Sequence, residues 1–223
     1  MKCDCIIPFY NEGERVLYVV EMILKSKVIS TVIVVDDGSK DKNTYAELVS
    51  KYPKAKILRL EQNRGKSDAI REGLKYTDAD YVLLFDGDLS NIIISEIDTS
   101  VNKVLDDSRI DLVIFRRSKD PSGTGWLRWD IVMSGQRIIK RNDLDIILKQ
   151  KVKGYQLEVA TNTYMMKNHK KVYWAHSSVT NLYKSQKWGF IEGMRVGVPG
   201  LISYAGWGDT IKQTLFFCRK ELQ

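Results

Sequence analysis

Apolar and polar positions follow two rhythms along the chain. Dense apolar runs, many of them β-branched, occupy 3–9 (CDCIIPF), 31–37 (TVIVVDD), 55–60 (AKILRL), 81–85 (YVLLF) and 111–116 (DLVIFR). Such short runs predict buried strands. Between them the apolar residues take helical spacing, as Val16, Val19, Val20, Ile23 and Leu24 do within 12–26. Helices are expected there and over 41–52, 66–76 and 94–105. This βαβα order predicts an α/β fold, a mostly parallel sheet flanked by helices and joined by right-handed crossovers. The rhythm changes near Ser118. A polar loop with Gly and Pro, RRSKDPSGTG (116–125), leads into helical segments expected at 126–148 and 155–167. A strand over 171–177 and helices near 184–197 and 208–221 complete the reading. No internal repeat interrupts it.

The 223 residues fit one domain of two halves, 1–118 and 119–223. No run of about eighteen or more apolar residues occurs, so no spanning helix is expected. The start of the chain lacks a signal-peptide pattern, and the expected location is cytoplasmic. Three cysteines without a C-x-x-C spacing predict neither a disulfide framework nor a metal cluster; Cys3 and Cys5 read as small buried hydrophobes. The net charge of +7 is unevenly spread. Residues 1–118 carry 18 Lys+Arg against 20 Asp+Glu, whereas 119–223 carry 17 against 8. The second half, at +9, suits an anionic partner such as a phosphorylated molecule or an anionic membrane face. No nucleic-acid module is visible, so no nucleic-acid partner is expected.

Each strand of the first half ends in polar punctuation: PFYNEGE, DDGSKD, EQNRGK and DGDLS. In an open α/β sheet, ligands bind outside the carboxyl ends of the strands. Asp36 and Asp37 follow the run Val32 to Val35. Gly65 and Lys66 open a helix, where backbone N–H groups, the dipole and an ammonium suit a phosphate. Neither G-x-G-x-x-G nor a Walker loop is present. Asp86 and Asp88 stand on one side of an extended backbone with Gly87 clearing the space between them. Two such carboxylates repel unless a hard cation, Mg²⁺ or Mn²⁺, joins them together with diphosphate oxygens. The cleft therefore reads as a site for a nucleotide-diphosphate donor.

The ordered set IIPFYNEGE, IVVDDGSKD, QNRGKSDAIREGL and LLFDGDLS resembles family-2 glycosyltransferases with the GT-A fold over about residues 4–90. The resemblance implies transfer of a sugar from a UDP- or GDP-sugar. It places Pro8, Tyr10, Asn11 and Glu12 around the nucleoside, Asp36 at the base, Asp37 among the nucleotide-sugar-binding residues, and Gly65 and Lys66 by base and phosphate. Asp86, Gly87 and Asp88 form its D-x-D, with Asp88 the firmer metal ligand. SGQRIIKR (134–141) and GYQLEVATN (154–162) resemble acceptor-side segments of polyprenyl- or dolichyl-phosphate sugar transferases and of glucosyl-3-phosphoglycerate synthases. Tyr155 falls on that side. His176, in WAHSSVTNLYKSQKWG (174–189), resembles a third metal ligand of some relatives. The missing Q-x-x-R-W argues against processive polysaccharide synthesis.

Arg137 and Arg141, one helical turn apart, either hold an acceptor phosphate, the reading that the basic second half favours, or form a solvated face. Glu158 lies in a mostly apolar helix and is either a paired structural residue or a desolvated base. In an inverting transfer it is the candidate for the acceptor's proton; with an ionised phosphate acceptor it only orients. The tail 189–220 mixes Trp207, Phe216 and Phe217 with Lys212, Arg219 and Lys220. It reads either as an interfacial helix giving peripheral contact with the cytoplasmic membrane face, or as aromatics that complete the core or a homodimer contact. Two other readings stay open: a sugar nucleotidyltransferase, whose usual Gly-rich basic first loop is replaced here by PFYNEGE, and a non-catalytic nucleotide-sugar-binding subunit.

Overall fold

The structure is a computed structural model that describes residues 1–117, 129–150, 156–181, 212, 215–217 and 220–222. Tyr155, Trp207, most of both expected C-terminal helices and 182–189 lie outside the described residues.

The chain runs β1 (Cys3–Phe9), α1 (Glu14–Ile23), β2 (Ile29–Asp36), α2 (Asn43–Lys51), β3 (Lys56–Arg59), α3 (Lys66–Leu74), β4 (Tyr81–Leu84), β5 (Leu89–Ser90), α4 (Ile94–Asp106) and β6 (Leu112–Arg117). It continues through α5 (Trp129–Val132), β7 (Arg137–Lys140), α6 (Arg141–Lys149), α7 (Gln156–Lys167), β8 (Val172–Ser177) and β9 (Thr180–Asn181). Seven strands form one sheet in the order β3-β2-β1-β4-β7-β6-β8, and β5 pairs with β9 in a second, small sheet. Strands β1 to β4 are parallel, as are β6 and β8, while β7 runs antiparallel between β4 and β6.

The sheet is covered on both faces, which is why its central strands are apolar at nearly every position. Cys3, Cys5, Ile7, Phe9, Val32 and Val34 face one cluster with residues of α1 and α4. Ile6, Ile33, Val35, Val82 and Leu84 face the other with residues of α3, α6 and α7. Each fully buried branched side chain contributes about 1.5–3 kcal/mol by leaving water. Burial pushes the Cys3 thiol up to about 12 and the Cys5 thiol well above its ordinary value, so both are inert apolar fillers. Pro8 sits in central β1 without breaking it. Even-numbered carbonyls of β1, those of Lys2 and Ile6, accept from the β4 side, and β4 ends at Leu84. The missing Pro8 N–H therefore faces a place where no partner strand remains.

The segment 126–148 is not one helix. Its described part contains short α5, then the turn 133–136, strand β7 and helix α6. RIIK is apolar enough for either state, and its antiparallel register, Leu84 to Arg137 and Tyr81 to Lys140, decides in favour of a strand. Arg137 and Arg141 are thus not one helical turn apart. Phe217 is fully buried in the second core cluster, and Phe216 meets it edge-on with centroids 5.1 Å apart. These two aromatics complete the core. Among the described residues no helix is long and apolar enough to cross a membrane.

Candidate active site

The order β3-β2-β1-β4 reverses between β1 and β4, and such a switch point opens a crevice beyond the strand ends. Three loops and one helix start meet there. After β1, the amide of Asn11 donates to Ser39 Oγ (2.9 Å), and its Oδ1 accepts from the Lys40 amide (2.8 Å). Asn11 has a positive φ of 55°, which an Asn tolerates. These bonds fix the rim of a cavity of about 240 Å³ lined by Phe9, Asn11, Glu12, Gly13, Ser39 and neighbours. Tyr10 is exposed beside it, and Glu12 pairs with Arg15 at 2.7 Å. Pro8 is buried in the strand.

Asp36 and Asp37 differ in what they hold. Asp36 is fully buried; Oδ1 accepts from the Ser39 amide (2.8 Å) and Oδ2 pairs with Arg59 (2.7 Å). Asp37 accepts the amides of Arg64 and Gly65, both at 2.8 Å. Burial raises its carboxyl pKa, and these two amide bonds pull it back. Gly38 has φ of 70°, and a Cβ there would stand 2.5 Å from the Gln62 carbonyl carbon. Only glycine permits these two loops to touch. At Gly65 a Cβ would meet nothing within 4 Å, so that side of the α3 start is open to a ligand.

Asp86 and Asp88 do not lie on an extended strand: the chain turns at Gly87 and Asp88 between β4 and β5. Gly87 is required for another reason than the one expected. Its open face lies against β1, with a Cβ there only 2.8 Å from Phe9 Cβ.

At the centre of the crevice is the Lys66 ammonium. It stands 2.6 Å from Asp86 Oδ1 and 3.2 Å from Glu158 Oε1. Burial alone would lower the Lys66 pKa, but the charges and hydrogen bonds of Asp86 and Glu158 outweigh it and raise the value. Gln136 Nε2 donates to Asp86 Oδ2 at 2.8 Å and its own Oε1 accepts from Ser134 Oγ. A Cβ at Gly135 would lie 2.6 Å from Lys66 Nζ and 2.9 Å from Asp86 Oδ2. The turn before β7 therefore presses its backbone on the ion cluster. Gly135 and Gln136 fall within SGQRIIKR, and the antiparallel β7 brings its leading turn to this edge.

Glu158 is in the first turn of α7, almost wholly buried, and among the described residues its Oε2 has no hydrogen-bond partner. Below it, fully buried Arg137 donates to the carbonyls of Ser134 (2.7 Å) and Val132 (2.8 Å), to Asn162 Oδ1 (2.8 Å) and, more weakly, to the Glu158 carbonyl (3.4 Å). Burial lowers its pKa to about 10, opposed by the Glu158 charge. Arg137 is thus a clamp under the site and faces no open cleft. Arg141 donates to the Thr77 carbonyl beyond the opposite ends of the strands, away from the crevice. His176 is exposed on β8 and faces Glu221 Oε1 at 3.2 Å. Strands β7 and β6 lie between β8 and β4 in the sheet, and the partner of His176 is Glu221, not an aspartate of the pair. Among the described residues no three His, Cys, Asp or Glu side chains converge to hold a metal.

The donor set nevertheless suits a hard cation held jointly with a ligand. Two carboxylates at a strand end, with oxygens supplied by a diphosphate, match how Mg²⁺ and Mn²⁺ bind, whereas an all-protein cage would need more ligands.

A mostly parallel seven-stranded sheet flanked by helices defines an α/β protein of the GT-A type. Residues 4–173 match the family described as glycosyl transferase family 2, and the chain belongs to it. It is 36% identical over 95 residues to the dolichyl-phosphate beta-glucosyltransferase of Saccharomyces cerevisiae, covering 37% of this chain and 28% of that protein. The chain matches between 21% and 38% of the length of its curated relatives. In fold it is similar to glucosyl-3-phosphoglycerate synthase from Mycobacterium tuberculosis, solved with Mn²⁺, UDP-glucose and phosphoglyceric acid (TM-score 0.69, 20% identity, 91% of this chain and 79% of that one). It also resembles CMP:2-keto-3-deoxy-manno-octonic acid synthetase complexed with CTP (TM-score 0.61, 13% identity, 82% and 93%). The fold is therefore common to a sugar transferase and a sugar-nucleotide synthetase, and the family match sets this chain with the former.

Proposed function

We propose that this chain transfers a sugar from a nucleotide-diphosphate sugar to an acceptor that carries a phosphate. The carrying observation is the Lys66 ammonium set between Asp86 and Glu158 at the start of α3. There an ammonium, the open α3 N-terminus and the adjacent aspartates converge where a diphosphate meets the sheet edge. The cavity rimmed by Asn11, Glu12 and Ser39 accommodates the nucleoside. Asp88 and Asp86 would hold a divalent cation, which supplies positive charge to the departing diphosphate.

The bond from the anomeric carbon to the diphosphate oxygen breaks and a bond to the acceptor oxygen forms. Where that oxygen is a hydroxyl, Glu158 takes its proton; the buried Oε2, without a hydrogen-bond partner among the described residues, suits that role. Lys66 binds the diphosphate, and Gln136 keeps Asp86 oriented. The phosphate of the acceptor is favoured by the +9 charge of residues 119–223. The nucleotidyltransferase reading finds less support, because the first loop, PFYNEGE, lacks the basic glycine-rich character that a triphosphate needs.

The test is thermal stability with UDP, GDP, CMP and dTDP, each with Mn²⁺ or EDTA, followed by radiolabelled sugar transfer with the donor that binds. A nucleoside diphosphate that binds the native state raises Tm by mass action. No rise with any nucleotide overturns the proposal; pyrophosphate release from a nucleoside triphosphate would replace it with the nucleotidyltransferase.

A further inference from the structure

The first aspartate of the pair is already engaged. Asp86 Oδ1 contacts the Lys66 ammonium at 2.6 Å, and Oδ2 accepts from Gln136 at 2.8 Å. Each oxygen thus has a protein partner although the side chain is 23% exposed, and the backbone of Gly135 lies against the cluster from the β7 side. Asp86 and Glu158 face one ammonium, so the cluster balances much of its charge before any ligand arrives. A cation approaching Asp86 meets an ammonium in the place it needs, and two positive groups a few ångströms apart in a partly buried site repel. A diphosphate changes this balance. Lys66 is the first residue of α3, beside the open face of Gly65, so a phosphate there offers the ammonium a second anionic partner.

We propose that Lys66 is an internal counter-ion that competes with the divalent cation for Asp86, so that the cation binds well only when a nucleotide diphosphate draws Lys66 away. This deepens the reading of the crevice as a nucleotide-diphosphate site and rests on it. Linkage makes the effect reciprocal: whatever factor the nucleotide adds to cation affinity, the cation adds to nucleotide affinity. Lys66 is a positioning residue here, acting through Asp86.

The experiment measures Mn²⁺ binding directly, by electron paramagnetic resonance of free Mn²⁺, with and without UDP and GDP. It uses the wild type, Lys66→Met, and Lys66→Gln. The glutamine keeps hydrogen bonds to the carboxylates and provides a folded variant if the methionine does not fold. Without nucleotide, the wild type is expected to bind Mn²⁺ weakly and both variants roughly tenfold more tightly. In EDTA, the variants are expected to bind the nucleoside diphosphate more weakly than the wild type. Unchanged or weaker Mn²⁺ binding in both variants overturns the competition. A wild type that binds Mn²⁺ equally well with and without nucleotide overturns it too, while a nucleotide-dependent Tm rise in the same preparation leaves the transferase reading standing. Absence of any nucleotide binding by the wild type fails that reading and this inference with it.

Discussion

Replacing Arg137 by Met tests the clamp beneath the site. The guanidinium makes three well-formed bonds, to Ser134, Val132 and Asn162. Bonds from a buried charged donor contribute about 1.5–3 kcal/mol each, roughly 5–9 kcal/mol together. Against this stands the burial of the charge. The lowering of its pKa from the ordinary arginine value to about 10 corresponds to about 3 kcal/mol disfavouring the charged form. The net loss expected for Arg137→Met is therefore about 2–6 kcal/mol, a large part of a domain's usual stability. For a chain of this size that is a fall in Tm of roughly 5–20 °C. Urea denaturation followed by circular dichroism should show a lower midpoint with an unchanged slope. Arg137→Lys, with a single ammonium unable to fork among three acceptors, should recover less than half of the loss. A midpoint shift worth less than about 1 kcal/mol in Arg137→Met would refute the argument, since the bonds would then do no more than offset the burial of their own charge.

Three further outcomes are expected. Gly38→Ala places a Cβ against the Gln62 backbone at positive φ, so it should lower stability by about 3 kcal/mol or more and abolish the nucleotide-dependent Tm rise. Glu158→Gln should reduce transfer to a hydroxyl acceptor by about 10²-fold or more in kcat, with nucleotide affinity in EDTA within about threefold of wild type; retention of full kcat would remove Glu158 as the base. The Lys66 pKa is raised on folding, so its contribution to stability is complete below 10.5 and is lost as the pH rises through the higher folded value. The stability difference between wild type and Lys66→Met should accordingly stay level up to about pH 10 and shrink only above it; a difference that vanishes at neutral pH would contradict the ion cluster.

The first half of the fold was legible because its strands are buried on both faces and its helices carry a clear 3.6-residue period. The order of polar strand ends also pointed to the crevice, and Lys66, Asp86 and Glu158 do meet there. The second half was harder to read for a specific reason. In residues 134–149 a four-residue strand runs directly into a helix, and the apolar positions of RIIK continue the spacing of LDIIL without a break. Only pairing with β4 and β6, distant in sequence, makes Arg137–Lys140 a strand. Read as a helix, the segment puts Arg137 on a helix face and gives Gly135 and Gln136 no place at the strand ends. His176 was placed by resemblance alone; the strand order puts two strands between it and the aspartates.

The antiparallel course of β7 also gives the site a long-range character. Lys66 and Asp86 come from the βαβ half, whereas Gly135 and Gln136 precede a strand whose register joins Leu84 to Arg137, far apart in sequence, and Glu158 follows on α7. Contacts of such separation cost more loop-closure entropy than those within one βαβ unit. The ion cluster therefore leans on the pairing of β7, and a substitution that loosens this strand anywhere along its length is expected to weaken the site without touching a charged residue.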